Sequence, residues 1–100
     1  MIRFVVLFHL KDHATTTIHA VHEQIKRLDG AIDSLESMEV GSNLTYSERS
    51  YDIAATFTFA SLEALHHFEH DPLHIDVVES IKPFVQKINH VIYQQPKACA

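Results

Sequence analysis

Ile2-Arg3-Phe4-Val5-Val6-Leu7-Phe8-His9-Leu10 decides the fold. Taken every second residue, Ile2, Phe4, Val6, Phe8 and Leu10 form a wholly apolar set, while Arg3, Val5, Leu7 and His9 form a mixed one. Neighbouring side chains of a strand point to opposite faces, so this pattern predicts a buried strand that needs cover on both sides. A secretion signal is excluded by length: His9, Lys11, Asp12 and His13 interrupt the apolar run and no small-residue cleavage site follows, so the mature chain is expected to start at Met1.

Moving outward, Thr15 or Thr16 is expected to cap a helix in which Ile18, Val21, Ile25 and Leu28 recur at helical spacing. Gly30, free to adopt a left-handed backbone, is expected to end it. Residues 35–44 read as a second, weaker strand near a sheet edge, with a bulge or bend at Gly41, and residues 43–50 as the longest loop. The third strand, 51–59, alternates cleanly: Tyr51, Ile53, Ala55, Phe57 and Phe59 against Asp52, Ala54, Thr56 and Thr58. Ser61 caps a short helix carrying Leu62, Leu65 and Phe68, and Asp71-Pro72 breaks it and starts another. Ile75, Val78 and Ile81 are expected to form that helix's buried stripe up to Lys82-Pro83, before a last strand over 88–95 and a frayed tail over 96–100.

The order strand, helix, strand, strand, helix pair, strand predicts an α+β fold, the ferredoxin-like split βαβ arrangement, with a four-stranded antiparallel sheet and the helices on one face. A single domain is expected over 1–95. The opposite face would carry Arg3, Val5, Leu7, His9, Ala54, Thr56, Thr58 and either Val91 with Tyr93 or His90 with Ile92, with nothing in the chain left to cover it. A second copy is the expected lid, giving a homodimer through the sheet face and a dimeric α/β barrel. Arg3, His9 and Asp52 are the polar residues of that face and read as an interface network.

Composition narrows the partners. The 100 residues are 46% hydrophobic and 21% charged, enough for one core with little margin, which subunit association would relieve. Eight Lys and Arg against thirteen Asp and Glu leave no basic surplus for phosphates, so nucleic acid and anionic membrane are excluded as partners. No stretch approaches the ~18 apolar residues of a membrane span. Cys99, the single cysteine, rules out an intrachain disulfide and suits a reducing compartment, the cytoplasm. With only Gly30 and Gly41, no phosphate-cradling loop exists, and no Ser/His/Asp order or carboxylate pair stands out. No cofactor is assigned.

Several segments taken together carry a family resemblance. Residues 4–12 (FVVLFHLKD), Met38-Glu39-Val40-Gly41 with Asn43-Leu44, Tyr51-Asp52-Ile53-Ala54, residues 59–65 (FASLEAL) and Asp71-Pro72-Leu73-His74 resemble, in order and spacing, the stress-responsive A/B barrel (Dabb) family. The resemblance implies a dimeric α+β barrel, and a polyketide-cyclase activity known in the family implies a pocket between sheet and helices. It places His74 on the family's catalytic histidine. The first-strand histidine, third-strand histidine and helix tyrosine positions fall on Phe4, Ile53 and Phe68, so the polar groups that aldol-type cyclisation needs beside its base are replaced by apolar ones. The expectation is an apolar small-molecule pocket walled by Phe4, Phe8, Ile53, Phe57 and Phe68 around His74, in a binder or structural dimer of unassigned activity. A cyclase-like lyase with His74 as general base ranks second. A haem-degrading or antibiotic-biosynthesis-type monooxygenase ranks third, and the absence of tryptophan and of a first-strand asparagine counts against it.

Nine histidines raise a metal question. His66 and His70, and His70 and His74, are four residues apart, and His67 and His70 three, but the Asp71-Pro72 break interrupts the stripe and only Glu69 and Asp71 are adjacent carboxylates. They read as a solvated helix edge, and no metal is assigned. His19 and Glu23 fall opposite the apolar stripe of the first helix and read as surface. Histidine protonation should shrink the net charge of -5 as pH falls, and solubility with it.

Overall fold

The computed structural model describes residues 1–96; the rest of the expected tail, with Cys99, lies outside them. Strand β1 spans Ile2–Leu10, helix α1 Thr15–Lys26, β2 Ser37–Ser42, β3 Ile53–Phe59, α2 Leu62–Glu69, α3 Pro72–Ile81, and β4 Val85–Gln94, which a short 3-10 turn at Lys82–Phe84 precedes. The four strands form one antiparallel sheet in the order β2-β3-β1-β4. This is the ferredoxin-like α+β architecture, with β1 and β3 central and β2 at an edge.

Register decides which residues share a face, because directly paired residues lie side by side. Arg3 pairs with Thr58 and Tyr93, Val5 with Thr56 and Val91, and Leu7 with Ala54 and Asn89. The face away from the helices therefore takes Val91 with Tyr93, not His90 with Ile92. On the other face Phe4, Val6, Phe8, Ala55 and Phe57 meet the helices. Phe59, Phe68, Leu10, Ile25, Ile53, Leu65, Val21 and Val77 are the largest fully buried side chains. Each buried aliphatic or aromatic side chain of this kind contributes roughly 1.5–3 kcal/mol of transfer free energy, so α1 is held chiefly by Val21 and Ile25, with Leu28 of the following turn buried beside them. The Arg27–Asp76 ion pair at 3.0 Å that also ties it to α3 joins two exposed groups and is worth at most about 1 kcal/mol.

Several local expectations are corrected. Neither Thr15 nor Thr16 caps α1: Ala14 holds the cap position without a side-chain bond. Asp12 substitutes for it, accepting from the main-chain N–H of Ala14 at 2.8 Å and the Thr17 hydroxyl at 3.0 Å. Those two bonds, the Ala14 N–H first, hold the Asp12 carboxyl below its ordinary value of 3.8. Its contribution to stability is thus present above that value and lost as pH falls through the lowered one. Gly30 is left-handed, at φ 71°, but it does not end α1: the helix closes at Lys26 with Arg27 as its C-cap, and Gly30 lies in the turns that follow.

The second strand is shorter than residues 35–44, and the β2–β3 register runs unbroken past Gly41. The irregularity lies instead between His9 and Leu10, opposite β4. There the Leu10 N–H turns to the Asp52 carboxylate at 2.8 Å, the side-chain acceptor that lets the chain leave the ladder. Asp52 precedes β3 and is only 4% exposed, so it does not belong to the open sheet face. The last strand begins at Val85, three residues before the expected 88. In α3 the buried pair is Val77 and Ile81, while Ile75 and Val78 are exposed. The stripe follows the four-residue spacing of Leu73, Val77 and Ile81.

Ser61 and Asp71 cap as expected. The Ala64 N–H donates to Ser61 Oγ at 3.1 Å and the Leu73 N–H to Asp71 Oδ1 at 2.9 Å. A Ser61→Ala chain is expected to lose about 1 kcal/mol of stability, read as a lower urea midpoint with unchanged slope.

Candidate functional site: a cavity beside His74

The helices cover the β1–β3 side of the sheet more fully than β4, where Ile88 and Ile92, on the helix-side face, stay exposed. The incomplete cover leaves a cavity of about 460 Å³. Phe4, Val6 and Phe8 of β1 and Phe57 of β3 form its floor, Val77, Val78 and Ile81 of α3 one wall, and Ile25 of α1 with Leu28 of the turn after it another. Lys82, Gln86 and Lys87 also line it and are exposed. His74 is the only polar lining residue that is not. The volume falls in the range of sites for small organic molecules, which are mostly apolar with few placed polar groups.

The break between α2 and α3 positions His74. Asp71 and Pro72 restart the chain so that His74 stands in the first turn of α3, where its Nδ1 lies 3.2 Å from the Glu69 carbonyl. A carbonyl only accepts, so Nδ1 donates, and in the neutral ring Nε2 carries the free lone pair. The ring also rests on Phe68, with centroids 4.5 Å apart. Phe68 in turn packs on Phe57 at 5.3 Å and Phe59 at 5.1 Å. The arrangement offers one oriented hydrogen-bonding base in apolar surroundings.

Of the residues expected to wall the pocket, Phe4, Phe8 and Phe57 do so with His74. Ile53 and Phe68 do not. Ile53, at the first position of β3, is enclosed in the core, and Phe68 is fully buried under the His74 ring, supporting it from behind. The walls from α1 and α3 were not foreseen, although Ile25, Leu28, Val78 and Ile81 lie on the apolar stripes read from the sequence. Among the other histidines, His70 Nδ1 donates to the His66 carbonyl at 2.7 Å. Among the described residues no group of three or more His, Cys, Asp or Glu is arranged to hold a metal ion, and no helix is long and apolar enough to cross a membrane.

A ferredoxin-like sheet with helices on one face and a ligand-sized cavity beneath them defines the class of protein. The family model for the stress responsive A/B barrel domain matches residues 2–93, and the chain belongs to that family. Its fold is similar to that of a Dabb family protein from Mesorhizobium loti (TM-score 0.80, 22% identity, 95% of this chain and 96% of that one). It is equally similar to a dimeric ferredoxin-like protein of unknown function from Bacteroides fragilis (TM-score 0.80, 21% identity, 94% and 95%). The hydroxynitrile lyase from Passiflora edulis shares the fold at 16% identity (TM-score 0.81, 99% and 96%). No curated protein sequence matches significantly.

Proposed function

We propose that this chain is a homodimer that binds a small, largely apolar molecule bearing one hydroxyl in the cavity beside His74. The observation that carries the reading is the pairing of an apolar cavity with a single half-buried base whose Nδ1 is held by the Glu69 carbonyl. Cyclohexanol, a compact apolar body with one donor, is a suitable probe. Calorimetric titration is expected to show saturable binding that weakens about three- to tenfold in His74→Ala, the worth of one hydrogen bond. Equal affinity in a folded His74→Ala chain contradicts the reading.

The dimer follows from the open sheet face. Leu7, Val91 and Tyr93 are 37%, 53% and 39% exposed there, forming with Val5 an apolar strip of the kind that marks a contact surface. The similar Bacteroides fragilis protein is described as dimeric, which supports a second copy as the cover. The single cysteine supports a reducing compartment, the cytoplasm.

A second reading is favoured by the free Nε2 and by the similarity to a hydroxynitrile lyase. A hydroxynitrile is itself an apolar body with one hydroxyl. If Nε2 takes that proton, the oxygen electrons form the carbonyl, the carbon–carbon bond breaks, and cyanide leaves and regains the proton. Release of benzaldehyde from mandelonitrile above the buffer rate, lost in His74→Ala, is the expected result; no release beyond buffer removes the lyase reading and leaves the binder.

A further inference from the structure

A second oriented base lies where β1 and β3 diverge. Asp52 Oδ2 accepts from the Leu10 N–H at 2.8 Å, and Asp52 Oδ1 is 2.9 Å from His13 Nδ1. His9 Nδ1 stands 3.6 Å from Oδ2. The carboxylate accepts, so His13 Nδ1 donates and Nε2 bears the free lone pair of the neutral ring. A buried carboxylate holding an imidazole in one tautomer is the usual way of orienting a histidine base. Neither the site beside His74 nor the proposed dimer uses it.

A cavity of about 330 Å³ adjoins this pair, lined by His13, Ile18, Asn43, Leu44, Tyr46 and Asp52, and it shares no lining residue with the one beside His74. The Asn43 amide is occupied, donating to the Thr45 carbonyl and accepting from the Thr45 N–H. The Tyr46 ring meets the His13 ring at 5.7 Å and 62°, opening an angular aromatic cleft. Leu44 and Tyr46 are 98% and 68% exposed, so a ligand seated there would remove apolar surface from water.

We propose that this cleft is a second binding site, for a neutral planar aromatic compound bearing one hydroxyl. The ring would lie against Tyr46, Leu44 and Ile18, and the hydroxyl would donate to His13 Nε2. Charge decides for a neutral ligand over an anion: among the described residues no Lys or Arg lines the cavity, Asp52 stands beside His13, and the chain carries a net charge of -5. The geometry decides for an aromatic, since tilted rings accept a third ring edge-on or offset.

The test is an NMR titration of the full chain with 4-methylphenol. Saturable shifts are expected at the His13 and Tyr46 rings, with at least fivefold weaker binding in both His13→Ala and Tyr46→Ala. Shifts confined to His74 and Val78, failure to saturate, or wild-type affinity in either variant overturns the proposal. Long-range proton–nitrogen correlations in the wild-type chain give a readout independent of any variant. Neutral His13 is expected to carry its proton on Nδ1, and a proton on Nε2 overturns the proposal.

Discussion

A Phe68→Ala chain is expected to lose about 3 to 5 kcal/mol of folding stability, the usual cost of emptying an aromatic site in a closed core. Phe68 is fully buried and touches the rings of Phe57, Phe59 and His74, which come from β3 and α3. Its removal opens a hole between elements that cannot easily collapse, because sheet and helix are each held by main-chain bonding. A domain of this size has only ~5 to 15 kcal/mol in hand, so much of the margin disappears. Urea denaturation at one fixed protein concentration measures the loss, since dissociation and unfolding are linked in a dimer. The same substitution frees the His74 ring and should weaken cyclohexanol binding even where the chain remains folded. A loss below about 1 kcal/mol would mean that the aromatic cluster is not the keystone of the core.

Val5→Asp is expected to convert the proposed dimer to monomers. Val5 lies centrally on the open face, between Thr56 of β3 and Val91 of β4. A two-fold axis places the substitution twice in one interface, so two like charges would be buried there together, with only Arg3, two residues back on the same strand face, to offset them. A penalty of about 4 kcal/mol or more raises the dissociation constant at least a thousandfold. Sedimentation velocity at micromolar concentration should show twice the mass of one chain for the wild type and the mass of one chain for the variant. Far-ultraviolet circular dichroism checks that the monomer stays folded. An unchanged sedimenting mass in Val5→Asp would place the contact elsewhere.

The sheet was legible in the sequence because alternation in β1 and β3 is uninterrupted and each apolar set has one parity. The division of α2 from α3 was legible because Asp71-Pro72 both breaks one helix and caps the next. What escaped were positions decided by side chains acting on the main chain. Asp12 displaced Thr15 and Thr16 as the cap because its carboxylate reaches the Ala14 N–H two residues on, a short-range bond that competes with ordinary capping. Asp52 was assigned to the open face by extending the parity of β3 backward, but the strand starts at Ile53 and parity has no meaning before it. The stripe of α3 was placed on Ile75 and Val78 because three-residue spacing fits as well as four over so short a helix.

The site divides in the same way. His74, Phe4, Phe8 and Phe57, which line the cavity, were legible through the family resemblance and strand parity. The walls from α1 and α3 depend on how helices lie across the sheet, which no local pattern encodes. Phe68 was expected to face the ligand, yet it lies beneath His74.

The most direct test of the ligand site is the set of intermolecular nuclear Overhauser effects between cyclohexanol and the wild-type chain. Contacts from the cyclohexanol ring to Phe57, Val78 and the His74 ring are the expected result. Contacts confined to Val5, Leu7 and Val91 on the open sheet face, or none at saturating probe, would contradict it.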